Sequence, residues 1–137
     1  MKLSIIVPVY NEIDQLPQFL QMLSAQESID PEVILVDGGS EDGTVELIRK
    51  LSDSYRWPIR LVQADKGRAR QLNAGLEQAI CETLLFLHVD STFYDVQALA
   101  SGVEALAMKI ADVGHDRVAG HFRFKFTRTD DNSDFGY

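Results

Sequence analysis

The sequence predicts an α/β domain, a three-layer sandwich built on a mainly parallel sheet. Two observations carry this expectation. Short apolar runs alternate with longer segments whose apolar residues fall at helical spacing, the pattern of βαβ crossovers. Each of the first four apolar runs also ends on polar residues or glycine, as strands do where an open sheet turns into its helices. At 137 residues the chain has the size of one domain with a single sizeable core.

The elements follow in order. LSIIVPVY (3–10) is apolar and β-branched, hence a buried strand. Ile13, Leu16, Phe19, Leu20 and Leu23 then recur at helical spacing, with Pro17 tolerable in the first turn. EVILVDGG (32–39) is a second buried strand. Ser40 or Asp42 is the expected cap of the next helix, whose apolar face is Val45, Leu47, Ile48 and Leu51. IRLVQAD (59–65) reads as a third strand and GRARQLNAGLEQAI (67–80) as a third helix. TLLFLHVD (83–90) runs four large apolar residues into a histidine and an aspartate; it is expected to be a central strand covered on both faces. DVQALASGVEALAMKIA (95–111) is a long helix. In RVAGHFRFKFTR (117–128) Phe122, Phe124 and Phe126 alternate with His121, Arg123 and Lys125, as in a half-exposed antiparallel or edge strand. These segments make one domain over 1–128, with a polar tail over 129–137.

Composition narrows the function classes. Thirteen basic against 21 acidic side chains give a net charge of −8, which opposes general affinity for nucleic acid or anionic lipid. A single cysteine, Cys81, excludes an internal disulfide and points to a reducing compartment, with Cys81 buried as a small apolar residue at a helix–strand junction. The first apolar stretch is broken by Pro8, Asn11 and Glu12 too early for a secretory signal, and no run approaches the ~18 apolar residues of a membrane span. A cytoplasmic protein is expected, with peripheral membrane association left open. G-x-G-x-x-G after the first strand, the P-loop pattern, the G-x-S-x-G elbow and zinc-type Cys/His spacing are all absent.

Ligands of open α/β sheets bind outside the carboxyl ends of the strands, so the strand ends carry the chemistry. They read PVYNE, DGGSEDGT, ADKGRAR and HVDS. Lys66, Arg68 and Arg70 flank Gly67 at a helix start, where backbone N–H groups favour a phosphate; the alternative is a solvated basic helix start. Asp37 at a strand end has the position of an acid that meets a ribose or base edge. Gly38, Gly39 and Ser40 after it form a tight turn. Tyr10 can stack on a base. His88 and Asp90, two apart in an extended segment, point to one side and suit Mn²⁺; the alternative is a helix cap plus a locally satisfied histidine.

Taken together, SIIVPVYNE, ILVDGGSEDGT, KGRARQLNAG and LLFLHVDS resemble, in that order and over residues 3 to about 126, the family 2 glycosyltransferases, inverting enzymes of the GT-A fold. The combination of DGGS, GRARQLNAG, LHVD and GHFRFKF is more similar to a bacterial subgroup, the transferases associated with radical-SAM and selenium-domain proteins. The resemblance implies that Pro8, Tyr10, Asn11 and Glu12 line a nucleotide pocket and that Asp37 meets the base or ribose, with Gly38 beside it. It places Gly67 and Arg70 near the uridine or diphosphate and Asp90 on a divalent ion, Mn²⁺ or Mg²⁺, to which the reading of the residues adds Arg68 at the diphosphate and His88 at the ion. The chain departs from the pattern at three points. Gly38 stands where a second acid is usual, Gln71-Leu72-Asn73 replace Ala-Arg-Asn, and His88-Val89-Asp90 replace Asp-x-Asp.

The implied function is inverting transfer of a sugar from a nucleotide-diphospho-sugar donor to an unidentified acceptor, with no assignable general base and no assigned oligomeric state. The family's acceptor-binding elements lie beyond a GHFRFKF-like strand, so the chain reads as a nucleotide-binding half. A nucleotide-binding module without turnover is the alternative. A sugar-phosphate nucleotidyltransferase fits less well, because PVYNE is not a glycine- and basic-rich loop.

Overall fold

The computed structural model describes residues 1–121. Its contacts divide the chain into two units, Met1–Val103 and Glu104–Tyr137. The first unit holds four parallel strands in the order β3-β2-β1-β4, where β1 is Lys2–Val9, β2 Asp30–Asp37, β3 Ile59–Gln63 and β4 Leu84–Phe86. Between them lie α1 (Leu16–Ser24), α2 (Thr44–Leu51) and α3 (Arg68–Gln78); α4 (Ala98–Val113) follows. The α/β expectation and the parallel sheet are therefore observed.

The two longest strands form the centre. β1 and β2 pair from Lys2 opposite Asp30 to Val9 opposite Asp37. Successive side chains of a strand point to opposite faces, and Ile5, Ile6, Val7, Val33, Ile34, Leu35 and Val36 are all buried. Both faces of this pair are thus covered, which explains why neither strand alternates in sequence. The connections β1→β2 and β2→β3 step one way across the sheet and β3→β4 steps back. Right-handed crossovers then put α1 and α2 on one face and α3 on the other. α1 buries Leu16, Phe19, Leu20 and Leu23, the periodic residues read from the sequence, with Pro17 in its first turn.

α3 lies unusually close to the sheet. Ile6, Ile34 and Val36 pack with Leu72, Ala74 and Ala79. At Gly75 an added Cβ would fall 2.4 Å from Ile6 Cγ2 and 2.9 Å from Val36 Cγ2. At the amino ends of the strands, buried Glu32 (5% exposed) accepts from Ser4 Oγ at 2.6 Å, Arg60 Nη2 at 2.7 Å and the Ile80 N–H at 2.8 Å. Burial alone raises a carboxyl pKa, but these bonds outweigh it and hold Glu32 below its usual value. The same network receives Cys81, whose N–H donates to Ser4 Oγ at 3.0 Å; the cysteine is half-buried rather than enclosed.

Three expectations are corrected. β4 is not central: among the described residues it is the edge strand, paired with β1 alone over three positions, and Phe86 is 49% exposed. A second neighbour is what would have enclosed it. Nor does the strand extend to Asp90; it stops at Phe86, and the Ser91 N–H donates to the His88 carbonyl at 3.0 Å in a turn. Finally, neither Ser40 nor Asp42 is the cap of α2: that position is Gly43, without a side-chain capping bond, while Asp42 just before it accepts from the Thr44 N–H at 3.0 Å and from the Thr44 hydroxyl. The strand expected over 117–128 falls, from residue 122 on, outside the described residues.

The close approach at Gly75 generates a prediction. Gly75→Ala should destabilise the fold by about 1–3 kcal/mol, the usual cost of overpacking, read as a lower urea midpoint at unchanged m-value.

Candidate functional site

The reversal of strand order beside β1 creates a crevice at the carboxyl ends, because β4 leaves the sheet at Phe86 while β1 continues to Val9. A cleft of about 150 Å³ lies there, lined by Pro8, Val9, Tyr10, Glu12, Arg68, Gln71 and His88. Five of its walls, Pro8, Tyr10, Glu12, Arg68 and His88, are residues singled out from the sequence. They come from three separate segments: the end of β1, the first turn of α3 and the stretch after β4.

The neighbouring loops are tied to one another. Asn11, in the left-handed region at φ 51°, donates its N–H to Ser40 Oγ at 2.8 Å and accepts the Glu41 N–H on Oδ1 at 2.8 Å. The Glu12 N–H donates to Thr44 Oγ1 at 3.0 Å and the Ile13 N–H to Asp42 Oδ2 at 3.3 Å. Asp37, only 1% exposed, accepts from the Gly39 N–H at 2.9 Å, the Ser40 N–H at 3.0 Å and the Ser40 hydroxyl at 2.5 Å. Gly38 packs beneath the Gln71 amide. Asn11, Asp37 and Gly38 therefore build the loops beside the cleft without lining it. Gly67 begins α3 at φ 150°, and neither it nor Arg70 lines the cleft.

The electrostatics divide the rim. Glu12 has its carboxyl pKa raised, first by burial and then by the charges of Asp90 and Asp42. His88 has its pKa lowered, chiefly by burial and next by Arg68, with Asp90 pulling the other way. The shift favours the neutral imidazole at pH 7. Lys66 Nζ sits 3.9 Å from the centroid of the Tyr10 ring, a cation–π pair at the mouth. Asp90 is exposed and does not line the cleft; buried Val89 lies between it and His88 in the chain. The turn at 88–91 thus removes the extended geometry that made the two side chains point together.

Gln71 was missed as a site residue. It is 4% exposed, donates through Nε2 to the Val9 and Val36 carbonyls at 2.9 Å each, and accepts the Gly67 N–H on Oε1 at 3.1 Å. Its signal was positional: four residues past Gly67 and three past Arg68, it lies on their side of the helix. Among the described residues no three His, Cys, Asp or Glu side chains assemble to hold a metal, and no helix is long and apolar enough to cross a membrane.

Comparison with known proteins gives a consistent result. The sequence model described as Glycosyl transferase family 2 matches residues 4–134. Glycosyltransferase AglE of Haloferax volcanii is 33% identical over 126 residues, covering 90% of this chain and 40% of the relative. Among solved structures, the mannosyltransferase PcManGT of Pyrobaculum calidifontis in complex with GDP-Man and Mn²⁺ superposes with a TM-score of 0.72 at 29% identity. That match covers 77% of this chain and 32% of the neighbour. TarS 1-349 of S. aureus in complex with UDP superposes with a TM-score of 0.67 at 26% identity, over 81% of this chain and 33% of its own. The chain thus spans less than half the length of the relatives it matches.

The lowered His88 pKa is directly checkable. Unfolded chains protonate His88 at the ordinary value of 6.5, folded ones lower, so its stability contribution is whole above pH 6.5 and is lost as pH falls through the folded pKa. NMR titration should show a His88 midpoint below 6.5, and Arg68→Ala should move it upward; an unmoved midpoint would separate Arg68 from His88.

Proposed function

The chain belongs to glycosyl transferase family 2, and on that premise we propose that the cleft beside β1 holds the nucleoside diphosphate of a sugar donor. The observation that carries this reading is the convergence of Tyr10, Arg68 and His88 on one cleft at the sheet's switch point, where α/β sheets bind such ligands. Tyr10, on the cleft wall, is the ring we assign to stack on a base. Pro8, Asn11, Asp37 and Gly38 shape the loops around the nucleoside, while Arg68 on the cleft wall meets the diphosphate with its charge and Gly67 and Arg70 flank it outside the lining. Support comes from the neighbours: one was solved with GDP-Man and Mn²⁺ and another with UDP.

The rim also fits a divalent ion held jointly with the ligand. His88 favours its neutral form, and Glu12 is crowded by the charges of Asp90 and Asp42, a repulsion that a cation relieves. His88 and Asp90 are the donors we assign, and Mn²⁺ suits this mixed N and O set better than Mg²⁺. Among the described residues no third His, Cys, Asp or Glu side chain joins them to hold the ion. When bound it supplies neutralisation of charge on the departing diphosphate.

In the transfer, an acceptor hydroxyl oxygen attacks the anomeric carbon in line as the bond from that carbon to the diphosphate breaks, which inverts the configuration. The acceptor's proton goes to a base that we assign to no residue of this chain. Arg68 offsets charge on the leaving diphosphate, an electrostatic role that needs no motion of the protein. The acceptor is a hydroxyl compound whose class these residues do not define.

Binding is the first test. UDP or GDP with Mn²⁺ should raise the thermal midpoint, by linkage worth about 2.7 kcal/mol at one hundred times the dissociation constant. Asp90→Asn should abolish the Mn²⁺-dependent part of that shift while leaving the metal-free part. No shift with any nucleoside diphosphate, with or without the ion, contradicts the proposal.

A further inference from the structure

Gln71, buried in the cleft wall, bonds three main-chain groups through its side chain. Both Nε2 protons go to main-chain carbonyls, those of Val9 at the end of β1 and Val36 near the end of β2, at 2.9 Å each. Its Oε1 accepts the Gly67 N–H at 3.1 Å, and its own N–H donates to the Gly67 carbonyl at 2.8 Å. One buried amide therefore joins three backbone segments: two strand ends and the turn that opens α3. An amide whose two donors are both spent has none left for a ligand. Gln71 faces the cleft, yet its polar atoms are committed to the framework.

The glycine at position 38 belongs to the same arrangement. A Cβ there would lie 2.9 Å from Gln71 Cδ and 3.0 Å from both Oε1 and Nε2. A flexible glutamine tip would ordinarily swing aside from such a contact. This one is held by its hydrogen bonds, so the contact can be relieved only by breaking them. Two departures from the family pattern, Gly38 and Gln71, thus occupy one space and act as a matched pair.

We infer that Gln71 is a positioning residue: it fixes the Gly67–Arg68 turn against the ends of β1 and β2 and so sets the diphosphate end of the cleft. The inference rests on the reading of the cleft as a nucleoside diphosphate site. It separates the two parts of the ligand. The nucleoside end is shaped by the β1 and β2 loops, which keep their own hydrogen bonds to one another without Gln71. The diphosphate end depends on where Gly67 and Arg68 sit, and Gln71's side chain bonds that turn to the ends of both strands.

The test compares ligands with and without the diphosphate, using UDP against uridine and GDP against guanosine by titration calorimetry. Gln71→Met keeps the length and removes the hydrogen bonds. It should weaken the diphosphate that binds the unsubstituted chain by about tenfold, the loss expected for one or two hydrogen bonds, with the nucleoside unchanged within about twofold. Gly38→Ala supplies a second variant, which displaces the amide without deleting a polar group, and should weaken the diphosphate to a similar degree. In the Gln71→Ala background, Gly38→Ala should lose most of its effect, since the atoms it meets are gone. Equal weakening of nucleoside and diphosphate, or lowered stability with unchanged diphosphate affinity, overturns the positioning role. Failure of UDP and GDP to bind the unsubstituted chain overturns the underlying reading instead.

Discussion

The pairing of β1 with β2 over their whole length is the constraint on which the rest depends. Parallel strands in register from Lys2 opposite Asp30 to Val9 opposite Asp37 must finish level with one another. Their following loops are then forced to meet. Each loop leaves main-chain N–H groups that water cannot reach from one side, and buried backbone groups go unpaired only at a cost of about 1–3 kcal/mol. The sequence answers with short polar side chains: Asn11, Asp37, Ser40, Asp42 and Thr44 satisfy these groups across the two loops. The carbonyls of Val9 and Val36 are met from the opposite side by Gln71. A rigid rim results because each loop completes its neighbour's hydrogen bonds.

The position of the cleft follows from topology. β1 has neighbours on both sides, but β4 departs after three paired residues, so the space next to the end of β1 has no strand in it. Side chains from β1, α3 and the turn after β4 converge there for want of backbone. α3 reaches this point only because Gly75 lets it settle against Ile6 and Val36. Close packing in the middle of the helix thus governs where its first turn, with Arg68, is delivered.

Charge is arranged as a local exception to the acidity of the whole chain. Glu12 feels the charges of Asp90 and Asp42, His88 feels both Arg68 and Asp90, and Lys66 lies over the Tyr10 ring. Such a mixture suits a ligand that carries its own negative charge together with a cation. At the far end of the sheet, Glu32 shows the contrasting case, a buried carboxylate matched in full by Arg60, Ser4 and a backbone N–H. Glu32 is spent on structure, whereas Glu12 is left with unrelieved repulsion.

The alternation of apolar runs and helical periods determined the fold class, because burial on both faces of a sheet leaves its mark residue by residue in Ile5 to Val7 and Val33 to Val36. That Pro8, Tyr10, Glu12, Arg68 and His88 would gather at the rim was legible for a related reason: polar groups at the ends of apolar strands have no other place. Sequence could not decide that β4 lies at the edge among the described residues, since an apolar trio looks alike with one neighbour or two. Nor could it show the turn at His88–Ser91, because a strand's end is set by where its partner stops pairing. Asp37 and Gln71 mark the deepest divide. A carboxylate in a turn and a glutamine on a helix are ordinary in sequence, and only the tertiary structure buries them and sets their hydrogen-bond partners. Asp37's partners are only two and three residues on, so burial is what the sequence hides there; Gln71's are backbone groups up to 62 residues away, and no local pattern encodes a contact made at that distance along the chain.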